Sequence, residues 1–111
     1  MEKLIKKFSP VTEATYYILL ALIEPLHGYG VMKKVEQMSN GRIIIAAGTL
    51  YGAFSSLEKN KLIEHLGVDP NNSRRKLYQL TESGNRLIRY EVHRLMTMAQ
   101  EGAREMEGLD V

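Results

Sequence analysis

The chain contains no cysteine, which excludes disulfides, thiolate metal sites and a cysteine nucleophile, and suits a reducing compartment. It also lacks tryptophan and has only three prolines. No long hydrophobic run is present: the longest apolar stretch, Tyr16 to Ile23, is too short to span a bilayer. Lys3, Lys6 and Lys7 are not followed by an apolar segment, so no signal peptide is expected and the cytoplasm is the expected location. His27, His65 and His93 are far apart and match no metal-ligand spacing, so each reads as a surface or interface residue and no metal is expected. No phosphate-cradling glycine loop occurs, and no motif brings a nucleophile, base and acid together. An enzyme is therefore not expected, and no cofactor is called for.

What is present fits one domain of 111 residues, with 44% hydrophobic and 25% charged residues. The net charge of +2 points nowhere, but its distribution is uneven. Residues 1–80 carry 11 Lys/Arg against 7 Asp/Glu, a net +4, whereas residues 81–111 carry 4 against 6, a net −2. The first part suits a polyanion; the last part does something else.

Apolar periodicity predicts a first helix from Val11 to Ile23, capped by Thr12 and stopped before Pro25. A second runs from about Tyr29 to Met38, with Val31, Val35 and Met38 as its stripe and Asn40-Gly41 as its stop. Arg42 to Ile45 is a strand fragment or a linker. A third helix, about Ala47 to Asn60, buries Leu50, Phe54 and Leu57. Its other face near the N-terminus holds Gly48, Thr49, Gly52 and Ser55, small and uncharged where solvated helices carry Glu and Lys. Strands Leu62 to Val68 and Lys76 to Leu80 flank a turn-forming Asp69-Pro70-Asn71-Asn72-Ser73, giving a basic hairpin. A last helix extends from Thr81-Glu82-Ser83-Gly84 to about Met106. The expected fold is mainly α with a small β-hairpin: a winged helix-turn-helix over 1–84, then a dimerisation helix over 85–111, forming one compact unit.

Several segments also resemble the PadR-type transcriptional regulators. Tyr17-Ile18-Leu19-Leu20-Ala21-Leu22 followed by His27-Gly28-Tyr29-Gly30 is similar to the start of that family. Gly48-Thr49-Leu50-Tyr51, Leu57-Glu58 and Leu62-Ile63-Glu64 are similar to its third helix and first wing strand. Arg75-Lys76-Leu77-Tyr78-Gln79-Leu80-Thr81-Glu82-Ser83-Gly84 is similar to the returning strand and the start of the dimerisation helix. The single C-terminal helix matches the short branch of the family. The resemblance implies a dimeric repressor, with some members answering to phenolic acids or other hydrophobic compounds. The sequence departs at Gly52-Ala53-Phe54, where a bulkier or proline-containing segment is common. It also lacks the tryptophan with which some relatives stack planar ligands.

The candidate DNA-binding residues are Thr49, Tyr51, Gly52 and Ser55 on the third helix, and Arg74, Arg75 and Lys76 on the wing. Lys33 and Lys34 on the second helix join them, and these two, Arg42, Lys3, Lys6 and Lys7 are each either further phosphate contacts or solvated surface. Tyr51 either donates its hydroxyl to the duplex or packs its ring on the core. Strand alternation would send Arg74 and Lys76 to one face and Arg75 to the other. Ile88, Val92, Leu95, Met96, Ala99, Ala103 and Met106 form an apolar stripe longer than a single domain needs, which marks a homodimer interface. The methionines there suit adaptable packing or a pocket for a flat apolar effector. The expected function is an inverted-repeat DNA-binding repressor, released by a hydrophobic or phenolic ligand; its partners are double-stranded DNA and a second copy, with no membrane. The alternative is a winged-helix module that docks a protein through its third helix, which would call for larger apolar anchors there.

Overall fold

The computed structural model describes residues 2–107, the side chains of Glu2, Leu4, Asn72, Ser73 and Arg74 excepted. In chain order the elements are α1 (Glu2–Phe8), α2 (Glu13–Ala21), β1 (Leu26–His27), α3 (Gly28–Met38), α4 (Ala47–Lys59), β2 (Ile63–Asp69), β3 (Asn72–Leu80) and α5 (Glu82–Glu105). The four longer helices are those that periodicity predicts.

Local chemistry sets their ends. Thr12 caps α2 by accepting the Thr15 N–H at 3.1 Å, and Thr81 caps α5 by accepting the Gly84 N–H at 3.1 Å. Asn40 and Gly41 both adopt positive φ, 53° and 79°, and turn the chain away after α3. The start of α5 lies so close to the α4–β2 junction that a Cβ at Gly84 would overlap the Leu62 carbonyl oxygen. That same carbonyl accepts the Thr81 N–H at 3.1 Å, so the glycine lets α5 leave the sheet at this point.

The core forms where α2, α3, α4, β2 and the first turns of α5 meet. Ile18, Leu19 and Leu22 pack against Val31 and Val35, the α4 stripe Leu50, Phe54 and Leu57, and Leu62, Ile63, Leu87 and Ile88. Each such side chain contributes about 1.5–3 kcal/mol on burial. α3 and α4 are the helix-turn-helix pair, and β2 and β3 are the wing.

Three features differ from the sequence expectation. The lysine-bearing N-terminus forms α1, which packs against α5; seven residues are too few to show a helical period. β1 turns the hairpin into a three-stranded antiparallel sheet ordered β1-β3-β2, pairing Leu26 with Tyr78 and His27 with Leu77. A two-residue strand has no pattern of its own and exists through its partner. Finally, β3 starts at Asn72 rather than Lys76, across a tight Pro70-Asn71 turn in which Asp69 Oδ1 accepts the Asn71 N–H at 2.8 Å. Arg42 to Ile45 forms no strand and serves as the linker.

Candidate nucleic-acid interface

The interface is built from the inside of α4 outward. Leu50, Phe54 and Leu57 fix the buried face of the helix, leaving Gly48, Thr49, Gly52 and Ser55 exposed on the other. A Cβ at Gly48 or Gly52 would meet nothing within 4 Å. Internal packing therefore does not require glycine there, and the small face is free for close approach by something outside the chain.

Tyr51 lies between these two faces. It is 50% exposed, and its ring meets Phe54 edge-on with centroids 5.9 Å apart. Its hydroxyl rests against the first residue of α3, where a Cβ at Gly28 would overlap it. The glycine of His27-Gly28-Tyr29-Gly30 and the tyrosine of Gly48-Thr49-Leu50-Tyr51 thus form one contact between α3 and α4.

Around that contact is a cleft of about 270 Å³ lined by His27, Gly28, Tyr29, Tyr51, Arg75, Lys76 and Tyr78. The wing supplies Arg75 and Lys76 together, which corrects the expectation that strand alternation separates them. The ladder is out of register there: Val68 pairs with Lys76 but the next residue, Asp69, pairs with Asn72, so Arg75 lies in an irregular stretch. The Arg75 guanidinium is 5.7 Å from the Tyr29 ring centroid, and the Lys33 ammonium 5.4 Å from the same ring. Tyr78, at the floor, packs on Phe54 at 4.6 Å. Burial pushes its phenol above the ordinary tyrosine value, with Glu58 and Tyr51 adding to the effect, so it stays neutral.

Of the predicted DNA-binding residues, Tyr51, Arg75 and Lys76 meet in the cleft, and Lys33 reaches it through Tyr29. Thr49, Gly52 and Ser55 line the adjacent exposed face, whereas Lys34 is half-buried and does not line the cleft. The Arg74 side chain lies outside the described residues. Arg42 pairs with Glu13 and donates to the Tyr17 hydroxyl at 2.9 Å, tying the linker to α2.

On α5, Ile88 is corrected from interface to core: it is 2% exposed because the first turns of the stripe cover this chain's own interior. Val92 is partly buried against the same core. Leu95, Met96, Ala99, Ala103 and Met106 are exposed, as is every described residue from Leu95 onward.

Sequence reasoning alone does not place His27, Gly28 and Tyr29 in the site. His27 Nδ1 accepts the Gly30 N–H at 3.0 Å and caps α3, and its Nε2 is 3.2 Å from an Arg75 guanidinium nitrogen. The available signal was glycine at the first position of a helix, a poor helix former that implies a close neighbour.

A helix-turn-helix with a free small face on its second helix, beside a basic antiparallel wing, defines a winged-helix protein. The profile of the transcriptional regulator PadR-like family matches residues 4–90, and the chain belongs to that family. An uncharacterized 37.1 kDa protein in transposon TN4556 of Streptomyces fradiae is 33% identical over 88 residues, 78% of this chain. The chain spans 24% of that relative's length, and 64% of a Lysinibacillus sphaericus relative that is 33% identical over 70 residues. Solved structures share the fold. A transcriptional regulator from Clostridium thermocellum superposes with a TM-score of 0.67 at 23% identity, covering 92% of this chain and 96% of that one. BpsR of Bordetella bronchiseptica, whose DNA binding is regulated by 6-hydroxynicotinic acid, superposes with a TM-score of 0.69 at 23% identity, covering 97% and 72%. No helix among the described residues is long and apolar enough to cross a membrane.

Proposed function

We propose that this regulator is a homodimeric repressor that binds an inverted-repeat operator in the cytoplasm. In this reading α4 enters the major groove and the wing holds the flanking backbone. The observation that carries it is the convergence of Tyr51, Arg75 and Lys76 beside the unhindered face of Gly48, Thr49, Gly52 and Ser55. A protein-docking use of α4 is less well supported, since that face offers no large apolar anchor besides the half-exposed Tyr51.

The second half of α5 supports pairing. Among the described residues Leu95, Met96, Ala99, Ala103 and Met106 are exposed, and a second copy is the commonest way to close such a stripe. Two-fold pairing would set two α4 helices about 34 Å apart, one turn of duplex. A hydrophobic effector has one supporting observation of its own: a groove of about 360 Å³ between α2 and α5, walled by Leu20, Ile23, Val92 and Met96. A ligand there would act on the seam and so on half-site spacing; the similar fold of BpsR has its DNA binding regulated by a small aromatic acid. Selection of bound duplexes from a random pool tests the proposal. An inverted repeat with half-sites about one turn apart is expected; recovery of no enriched sequence would contradict it.

A further inference from the structure

The cleft poses a donor problem of its own. His27 Nδ1 accepts the Gly30 N–H, so its lone pair is used and the neutral ring carries its proton on Nε2. That Nε2–H faces an Arg75 guanidinium nitrogen at 3.2 Å, and guanidinium has no acceptor. Two donors therefore point at each other without a mutual hydrogen bond. The Tyr29 ring lies 5.7 Å from the Arg75 guanidinium, and Lys76 and Tyr51 line the same cavity at the N-terminal end of α3. Among the described residues no carboxylate lines the cavity. What satisfies such an arrangement is an anionic oxygen that accepts from both His27 and Arg75.

We infer that the cleft seats one phosphate, with His27 Nε2–H and the Arg75 guanidinium as paired donors, and that in use this is a backbone phosphodiester of DNA. The inference rests on the DNA-binding reading above and gives His27 a specific part in it. The histidine caps α3 with one nitrogen and thereby fixes the other as a donor toward the wing. The occupied phosphate then ties the helix-turn-helix to the wing, and a half-site gains its two basic wing residues in one fixed geometry.

His27→Asn separates the two roles, because asparagine is a good N-cap but places no donor where Nε2–H stood. Binding is measured with a duplex selected from a random pool, alongside Arg75→Ala. His27→Asn should keep the wild-type melting temperature and weaken binding about tenfold or more. Its salt slope should stay unchanged, because a neutral donor releases no counterion, whereas Arg75→Ala should flatten the slope by about 0.9 per half-site. Replacing backbone phosphates one at a time with neutral methylphosphonate should reveal one position per half-site that weakens the wild type more than His27→Asn, which keeps only the Arg75 contact there. Equal affinity of His27→Asn and wild type would overturn the inference, as would equal sensitivity of both to every methylphosphonate. Inorganic phosphate alone, followed at the Gly28, Tyr29 and Gly30 amide resonances, should be displaced by duplex; tight saturation that duplex cannot displace would reassign the site to a free anion. If the wild type binds no duplex at all, it is the broader DNA-binding reading that fails.

Discussion

Substituting Glu91 should cost more stability than any other single charged residue, because it is the one ionisable side chain fully buried among the described residues. Its carboxylate accepts from Ser9 Oγ at 2.7 Å, from the Val11 N–H at 2.7 Å, and from Arg94 at 2.8 and 3.2 Å. It thus clamps the segment after α1 onto α5. Breaking a buried pair costs about 3–5 kcal/mol, but Arg94 is 26% exposed and can rehydrate. Glu91→Gln, which keeps the shape and some of the hydrogen bonds, should therefore cost about 2–3 kcal/mol. For a domain of this size that lowers the melting temperature by about 10–20 °C in calorimetry. The pH dependence carries a second signature. Burial alone would raise the Glu91 carboxyl, but the Arg94, Ser9 and Val11 hydrogen bonds together outweigh it and hold the group below the ordinary carboxylate value. A lowered native value means that the unfolded chain binds the proton more readily. The stabilisation is therefore complete above about pH 4.3 and is lost as pH falls through the lower native value. The stability gap between wild type and Glu91→Gln should shrink on acidification over that window. An unshifted melting temperature, or a gap that stays constant down to about pH 3, would refute the clamp.

Gly84→Ala drives a Cβ into the Leu62 carbonyl and should cost about 1–3 kcal/mol or more in denaturant titration, and an unchanged midpoint would remove that close approach. Met96→Glu places a charge on a side chain that is 57% exposed within the chain, so the monomer should fold normally while sedimentation shows the loss of dimer; an unaltered mass would exclude this face from the seam. Tyr51→Phe removes the hydroxyl that rests on Gly28 and should weaken duplex binding with the melting transition within about 0.5 kcal/mol of wild type, whereas a collapsed transition would make Tyr51 a structural residue instead.

The helices were legible in the sequence because each buries a stripe: Leu50, Phe54 and Leu57 recur at helical spacing and all three are in the core. The same logic misread Ile88, since periodicity marks a face as apolar without saying whether this chain or another covers it. β1 and α1 escaped notice because both are held by distant partners, β1 by β3 and α1 by α5, and tertiary pairing leaves no local period. The wing's charge was plain, but the co-location of Arg75 and Lys76 depends on an irregular register that alternation cannot foresee. His27 was the hardest to read. Its part depends on which nitrogen caps α3 and on where the wing strand returns, and neither is a property of its neighbours in sequence.

A wing cleft that grips the DNA backbone must show itself in the salt dependence of duplex binding. Affinity for a selected duplex, measured by anisotropy over a series of salt concentrations, should fall steeply for the wild type. Arg75→Ala with Lys76→Ala should flatten the log–log slope by about 0.9 for each phosphate contact removed, while the fold remains intact. An unchanged slope in that variant would mean that the wing cleft does not hold the DNA backbone.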